Sequence, residues 1–226
     1  MDFRIVSIGT LAVNTLWRER EPTRTGHATT SLIREAGRTI LIDPGLPTAA
    51  LEARLDERAG IKPAAVTHVF LTSFQPDTIR GIQAFPDATW WIGEREREGV
   101  GVPLAAHLKR AHEQGDHELV RLLERDVAIL QRCKPAPDEL CPGVSLFPLP
   151  GVTPGLTGLL LAEHRATTLI AGDAIATREH LDKGQILPHH ADLEQARESF
   201  AEAVEIADLL VLGRDNLVVN PTRRPF

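Results

Sequence analysis

The 226-residue sequence lacks three features that would assign it to common classes of protein. It has no excess of positive charge, because its formal net charge is -6 at pH 7, and this argues against a nucleic acid or an anionic membrane as a partner. It has no run of about 18 apolar residues, so we expect no membrane span. Its opening, MDFRIVSIGT, lacks the long apolar stretch of a signal peptide, so we expect a cytoplasmic protein.

Cysteine is also scarce, since Cys133 and Cys141 are the only two. Two cysteines in a chain of this size are more often free thiols than a structural disulfide, which small secreted domains use in larger numbers. We therefore expect both to be free thiols in a reducing compartment.

What the sequence does contain is the composition of a soluble globular domain, with 42% hydrophobic and 25% charged residues. Short runs rich in Ile, Val, Leu and Thr alternate with helix-like stretches, and Gly, Pro, Asp or Asn bound these runs. This alternation predicts an α/β fold in which helices cover buried strands. The predicted strands are 3–9, 29–37, 38–45, 67–73, 88–93, 143–151, 158–164, 167–173 and 208–213.

Two stretches have clear helix boundaries. Residues 47–59 start with a proline, which the first turn of a helix tolerates, and end before Gly60. Residues 192–207 carry apolar side chains at helical spacing, and Asp192 with Gln195 resembles a capping box.

The middle of the chain is helix-like over 102–132, with an interruption expected at Gly115, and a proline-rich connector follows. Neither half of the chain has enough apolar helix face to close a core alone. We therefore predict one domain over 1–226, with a helical insertion at about 94–140.

Polar turns follow several predicted strands, which is where α/β proteins place their functional groups. The most informative turn is LTSFQPDTIRG, which follows the apolar run VTHVF. Its polar side chains include Ser73, Gln75, Asp77 and Thr78, and it contains neither histidine nor cysteine. The turn therefore has the placement of an active-site turn without the side chains that most often bind zinc.

The order of these segments resembles the metallo-β-lactamase fold superfamily over nearly the whole chain. TSLIREAGRTILIDPGLP is similar to the family's opening hairpin, and THVFLTSFQPDTIRGIQAFPDATWWIGERE to the strand, metal-binding turn and helix that come next. FPLPGVTPGLTGLLL, LIAGDA and LLVLGRDN resemble the later segments that carry metal ligands. The resemblance implies a four-layer αββα sandwich, and the members of the family are mostly zinc or iron hydrolases.

The resemblance also implies a set of metal-ligand positions, and most of them hold other residues here. In the family the first turn reads His-x-His-x-Asp-His, whereas this chain has Ser73, Gln75, Asp77 and Thr78. Only Asp77 matches the family pattern in this turn.

The later ligand positions show the same loss of histidine. The family's PGHTPG segment is PGVTPG here, which puts Val152 at a ligand position, and the family's GHD turn is GRD, which puts Arg214 at another. The bridging aspartate is kept as Asp173. All the histidine ligands that the family pattern implies are therefore absent, and both aspartates remain.

These replacements are poor zinc ligands, because a protonated hydroxyl or a neutral amide oxygen binds zinc weakly and valine not at all. Arg214 also brings a permanent positive charge to the same place. We therefore expect no zinc or iron cofactor. We predict that Arg214 pairs with Asp173, Asp77 or both, because two buried carboxylates without a cation would repel each other.

Arg80 is a second departure, since the family usually has a glycine there. Its side chain either adds positive charge to the cleft or simply reaches solvent. A cleft with arginines and no metal would suit a small anionic ligand.

Two interpretations of function stay open. In the first, the protein is not a metal-dependent hydrolase but binds an unidentified small molecule or protein, or forms a homodimer. In the second, it is a divergent hydrolase that combines Asp77 and Asp173 with His27, His189 or His190 in a rearranged metal site, or that uses metal-free acid–base chemistry. A purely structural role would instead leave a filled cleft with no pocket.

Overall fold

The computed structural model describes residues 1–163 and 165–222 of the chain. Within these residues, two six-stranded sheets run in the orders β1-β2-β3-β4-β5-β6 and β12-β11-β10-β9-β8-β7. The strands of the first sheet are β1 (Asp2–Ser7), β2 (Thr30–Glu35), β3 (Arg38–Ile42), β4 (His68–Leu71), β5 (Thr89–Ile92) and β6 (Lys134–Pro135). Those of the second are β7 (Glu139–Cys141), β8 (Val144–Pro148), β9 (Thr157–Ala162), β10 (Thr167–Gly172), β11 (Leu209–Leu212) and β12 (Leu217–Val219).

Each sheet contains parallel strands whose carboxyl ends meet at one edge. In the first sheet β3, β4, β5 and β6 are parallel, while β1, β2 and β3 pair antiparallel. In the second sheet β10 and β11 are parallel, and the remaining pairs are antiparallel. The turns that follow β3, β4, β10 and β11 are therefore brought together, and these turns hold the residues of interest.

The helices are α1 (Thr48–Ala59), α2 (Pro76–Ile79), α3 (Glu94–Gln114), α4 (His117–Arg132), α5 (Arg178–Lys183) and α6 (Leu193–Ile206). None of the helices in the described residues is long and apolar enough to cross a membrane.

Successive side chains of the buried strands point to opposite faces, and this places the apolar residues of the two sheets in three layers. In β4, Phe70 faces the other sheet, while Val69 and Leu71 face the helices outside the first sheet. In β11, Val211 faces the first sheet and Leu210 faces the outer layer that includes α6. Because successive side chains of a strand point to opposite faces, strands that are apolar on both faces require cover on both sides. This arrangement is the four-layer αββα sandwich that the resemblance implied.

Most of the helices and strands predicted from the sequence are present, but the shortest strands were not predicted. The hairpin of β9 and β10 is present, although His164, in the predicted strand 158–164, lies outside the described residues. The helix expected from residue 102 begins at Glu94, so Pro103 lies inside it, and the break at Gly115 is confirmed by a left-handed φ of 71°. The strands β6, β7 and β12 were not predicted, because they have only two or three residues each.

The predicted helix cap is present in part. Asp192 accepts hydrogen bonds from the backbone N–H groups of Glu194 and Gln195, at 3.0 and 3.1 Å. The side chain of Gln195 does not complete a capping box, because its oxygen accepts from Arg95 at 3.1 Å and links α6 to α3. Cys133 and Cys141 are both buried free thiols, as expected. The interpretation of 94–140 as an insertion stays a prediction.

Candidate functional site

The ends of β10 and β11 approach each other closely enough to exclude side chains at two glycines. A Cβ atom at Gly213 would lie 2.5 Å from the carbonyl carbon of Gly172 and 2.7 Å from a carboxylate oxygen of Asp173. Gly172 itself has a φ of 53°, in the region that favours glycine. The two glycines therefore let Asp173 and Arg214, which directly follow them, lie side by side.

Arg214 forms a two-pronged contact with Asp173. Its Nε donates to Oδ1 at 2.8 Å and its Nη2 donates to Oδ2 at 2.6 Å. The side chains of both residues are 3% exposed. This geometry matches a planar guanidinium to a carboxylate, which is the strongest form of charge-assisted hydrogen bond in proteins.

The same guanidinium also reaches the first sheet. Its Nη1 donates to Oδ2 of Asp77 at 2.7 Å, and its Nη2 lies 3.3 Å from Oε1 of Gln75. Both pairs that the charges predicted are therefore present in the structure. One cation joins the two surviving acids of the family pattern and connects the turns of the two sheets.

The charge state of Arg214 follows from its neighbours. Burial by itself lowers the pKa of the guanidinium, but the nearby carboxylates of Asp173 and Asp77 outweigh it and raise the pKa above its ordinary value. Arg214 therefore stays cationic at every pH at which the protein is folded. A buried charge of this kind is tolerated only when it is paired, and here all three nitrogens of the guanidinium donate to protein oxygens.

The other residues at positions where the family has metal ligands, Ser73, Thr78 and Val152, are all buried. The hydroxyl of Thr78 donates to the carbonyl oxygen of Ser73 at 2.8 Å and accepts from the backbone N–H of Gln75 at 3.1 Å. Ser73 is fully buried, and its hydroxyl has no hydrogen-bond partner among the described residues. Val152 is buried in the apolar layer outside the second sheet.

The side chains at these positions do not fit zinc or iron. They offer two carboxylates that are already bound to a guanidinium, one amide, two hydroxyls and an alkyl group, and imidazole and thiolate are absent. Across the described ranges, no group of three or more His, Cys, Asp or Glu side chains is placed to hold a metal ion. The donor chemistry of the site is therefore that of an ion-pair network.

Asp43 lies behind the turn that follows β4 and is hydrogen-bonded to its first residue, Thr72. It follows β3 in a left-handed conformation, with a φ of 50°, and its carboxylate accepts from the backbone N–H and the hydroxyl of Thr72 at 2.9 and 2.7 Å. Burial raises the pKa of Asp43 to about 7. Asp43 thus has a structural role behind the turn.

Arg80 lies beside the site and does not simply extend into solvent. Its Nη1 donates to the carbonyl oxygen of Gly26 at 2.9 Å, and its Nη2 is 3.6 Å from Oδ1 of Asp77. The side chain is 29% exposed. Arg80 therefore adds positive charge at the edge of the cleft and fixes the segment that contains Gly26.

Glu96 is a functional-site residue that the sequence did not reveal. From α3, its Oε1 accepts from the N–H of Phe74 at 2.8 Å, and its Oε2 accepts from the hydroxyl of Thr153 and the N–H of Gly155 at 2.7 and 2.9 Å. It is completely buried, and burial raises its pKa. This one carboxylate holds the first turn to the loop that contains Val152. No signal in the sequence indicated a buried Glu96, because it lies within the charged run EREREG and such a run is typical of a solvated helix face.

His180 is a second buried titratable residue that the sequence did not reveal, although it does not line the cavity described below. It is 2% exposed on α5, and burial lowers its pKa, so the imidazole is neutral near pH 7. The hydroxyl of Thr177 donates to Glu179 at 2.7 Å and lies 2.9 Å from Nδ1 of His180. Because a hydroxyl has a single proton and a carboxylate can only accept, Nδ1 of His180 must be the protonated ring nitrogen.

A cavity of about 600 Å³ opens above the Arg214 network. Its floor includes Gln75, Asp77 and Arg214. Its walls come from two segments, 11–20 and 187–189. They combine the apolar residues Leu11, Val13, Leu187 and Pro188 with the polar residues Thr15, Glu19, Arg20 and His189. The cleft is therefore not filled, in contrast to what a purely structural role would produce.

The three histidines proposed for a rearranged metal site are not brought together. His189 lines the cavity and is exposed, while His190 directs Nδ1 at the carbonyl oxygen of Leu187, 2.9 Å away. His27 faces a separate depression and lies 3.1 Å from the carbonyl oxygen of Ile8 through Nε2. Placing His27 at the site was therefore wrong, because its strand-like segment directs the ring away from the cavity.

Two facing sheets, outer helices and a cleft at the strand ends define an αββα sandwich. Residues 23–213 match the metallo-β-lactamase superfamily, and the chain belongs to that family. Among curated proteins, none matches the chain.

Three solved structures have the same fold. A protein of Thermotoga maritima assigned to the metallo-β-lactamases has a TM-score of 0.68 at 21% identity, over 96% of this chain and 98% of its own. A hydrolase of the β-lactamase superfamily has a TM-score of 0.65 at 15% identity, over 99% and 91%. A dizinc quorum-quenching lactonase in complex with its homoserine product has a TM-score of 0.63 at 21% identity, over 79% and 67%. At these identities the likeness shows the fold alone.

Proposed function

We propose that this protein is a metal-free member of the metallo-β-lactamase superfamily that binds a small ligand in the cavity above Arg214. The observation that carries the proposal is the contact of one guanidinium with both Asp77 and Asp173, at 2.7 and 2.6 Å. A divalent ion and a guanidinium cannot share that space, because their charges repel and the carboxylate oxygens are already engaged.

Hydrolysis in metal-dependent enzymes of this kind depends on a metal ion that lowers the pKa of a bound water to about 7. Arg214 cannot supply this chemistry, because a guanidinium donates hydrogen bonds but has no vacant coordination position at which a water could be bound and ionised. The network therefore keeps the shape and the charge balance of the family cleft and removes its means of activating water. A ligand can still enter, since the cavity of about 600 Å³ is open.

Metal analysis of the purified full-length protein tests the proposal. Cells are grown with added zinc and iron, the protein is dialysed without a chelator, and its metal content is measured by mass spectrometry. We expect far less than one metal ion per chain, while a dizinc lactonase of the same fold, treated identically, retains its zinc. Stoichiometric metal that survives dialysis would overturn the proposal.

The alternative is a hydrolase that uses metal-free acid–base chemistry, and the position of His189 on the cavity wall favours it. It is the weaker proposal, because both oxygens of Asp173 accept hydrogen bonds from Arg214 and no imidazole among the described residues is hydrogen-bonded to Asp173. Hydrolysis of a panel of lactones and esters that is insensitive to zinc and to chelators, and that His189→Ala abolishes, would establish it.

A further inference from the structure

The floor of the cavity does not favour an anion, although it contains arginine. Every nitrogen of the Arg214 guanidinium donates to a protein oxygen, and the side chain is 3% exposed. Arg80 is likewise engaged, with Gly26 and with the carboxylate of Asp77. The small anionic ligand that the arginines suggested would therefore find no free cation at the floor.

Two polar groups at the floor do remain available. Oδ2 of Asp77 accepts from Arg214, but Oδ1 accepts no hydrogen bond from the described residues, and its ion-pair partner Arg80 is 3.6 Å away. Oε1 of Gln75 accepts from the same guanidinium, which leaves the side-chain amide nitrogen without an acceptor among the residues that the structure describes. Both residues line the cavity, and the Asp77 side chain is 33% exposed.

Arg214 places these two groups next to each other. Its Nη1 donates to Asp77 and its Nη2 donates to Gln75. Because these two nitrogens belong to one planar guanidinium, the side chains of Asp77 and Gln75 lie next to each other. The result is a hydrogen-bond acceptor beside a hydrogen-bond donor. A primary carboxamide has the complementary pair, because its N–H can donate to Asp77 while its carbonyl oxygen accepts from Gln75.

Charge and wall chemistry set the remaining properties of the ligand. The two aspartates of the floor are balanced by Arg214 and Arg80, so the floor is close to neutral and gives no advantage to an ion of either sign. Above it, Leu11 and Val13 on one side and Leu187 and Pro188 on the other offer apolar surface. Glu19 and Arg20 also line the wall, and their opposite charges add no net charge. An aliphatic tail would be buried there, at about 25 cal/mol for each Å² removed from water.

We infer that the cavity binds an uncharged amphipathic molecule whose polar head is a primary carboxamide, held by Asp77 and Gln75, and whose aliphatic tail lies between Leu11, Val13, Leu187 and Pro188. This inference rests on the proposed function, since it requires Arg214 and not a metal ion at the floor.

Three probes with the same tail test the head group: hexanamide, hexanoate and hexylamine. Each is titrated into the full-length protein by calorimetry at pH 7, at the millimolar concentrations that suit ligands of this size. We expect hexanamide to bind about tenfold or more tightly than either charged probe, because an unpaired buried charge or a lost hydrogen bond carries a penalty of this order.

Gln75→Glu provides a sharper test, because it converts the donor into a second acceptor while keeping an oxygen for Arg214 to bind. We expect this variant to lose about tenfold in affinity for hexanamide and to gain affinity for hexylamine, whose ammonium can donate to both carboxylates. Gln83→Glu makes the same charge change on an exposed side chain that does not line the cavity, and it should bind as the parent protein does.

Equal binding of all three probes, tighter binding of hexanoate, or no detectable binding of hexanamide would each overturn the inference. So would a Gln75→Glu variant with unchanged preference. The metal analysis is independent of these outcomes. A metal-free protein that does not bind hexanamide would refute the ligand class alone, whereas bound metal would refute the proposed function itself.

Discussion

At the scale of single residues, one arginine holds the acidic side chains of the site together. Arg214 is buried and contacts two acids that come from different sheets. Removing one partner of such a buried network leaves charge without compensation, which is more damaging than the loss of the contact alone.

Replacing this side chain should therefore destabilise the protein strongly. We expect Arg214→Met, which keeps the length of the side chain, to lower the free energy of unfolding by about 3–5 kcal/mol at pH 7. Urea denaturation measures the change. Arg178→Met is the matched control, because Arg178 is 69% exposed, pairs with Asp182 at 3.8 Å and should contribute well under about 1 kcal/mol. Equal effects of the two substitutions would contradict the account.

Asp43 predicts a distinct dependence on pH. Its pKa is raised from 3.8 to about 7 in the folded state because it is buried, so the folded protein binds this proton more tightly than the unfolded chain does. Its contribution to stability is therefore fully present below the unfolded pKa and is lost as the pH rises through the folded one.

The variant Asp43→Asn isolates this effect, because the amide resembles the protonated acid and does not titrate. We expect the stability of Asp43→Asn relative to the parent protein to increase between about pH 4 and pH 7, by a few kcal/mol at most. Denaturation curves at several pH values measure it. A difference that stays flat over that range would show that Asp43 does not titrate in this way.

The family resemblance and the residue types together were enough to predict the Arg214 network. The resemblance brought the three turn positions together, and two acids beside a cation have few other ways to be satisfied. Glu96 and His180 could not be predicted in the same way. Their burial depends on which side of α3 and α5 faces the cleft, and the short α5 and the charged start of α3 give no apolar periodicity from which to read it.

At the scale of elements, the loops of the cleft are held by a helix and not by their own sequence. Glu96 at the start of α3 accepts hydrogen bonds from Phe74 on one loop and from Thr153 and Gly155 on another. No side chain could be added at Gly155, because a Cβ atom there would lie 2.1 Å from the backbone nitrogen of Glu96. The helix and the two loops therefore form one packed unit.

Loss of the Glu96 charge should loosen both loops together. We expect Glu96→Gln to lower the free energy of unfolding by about 1–3 kcal/mol, because it disturbs three buried hydrogen bonds. Hydrogen exchange should show faster exchange at the amides of Phe74 and Gly155 in particular. Glu98→Gln, on an exposed position of the same helix, serves as the control. Protection that is unchanged at both amides would refute the role assigned to Glu96.

The longer strands and helices were predictable because each has a recognisable residue pattern within its own sequence. Strands such as β3, β4 and β11 are apolar on both faces, which is typical of parallel strands that are covered on both sides. The start of α3 was placed too late, because Pro103 is more typical of the first turn of a helix than of its interior. The strands β6, β7 and β12 exist only through pairing with a neighbour, so no pattern within them could reveal them.

At the scale of the whole molecule, the Arg214 network connects the two sheets. Asp77 belongs to the turn after β4, whereas Asp173 and Arg214 follow β10 and β11 of the other sheet. Backbone hydrogen bonds reinforce this junction, including one from Thr157 to Thr72 at 2.9 Å. The two halves are thus joined directly below the cavity.

Crystals of the protein soaked in zinc, with anomalous diffraction recorded at the zinc edge, test the central claim most directly. We predict no anomalous peak between Asp77 and Asp173, and electron density for the Arg214 guanidinium in contact with both carboxylates. A zinc peak bound by those carboxylates, with Arg214 displaced from between them, would contradict it.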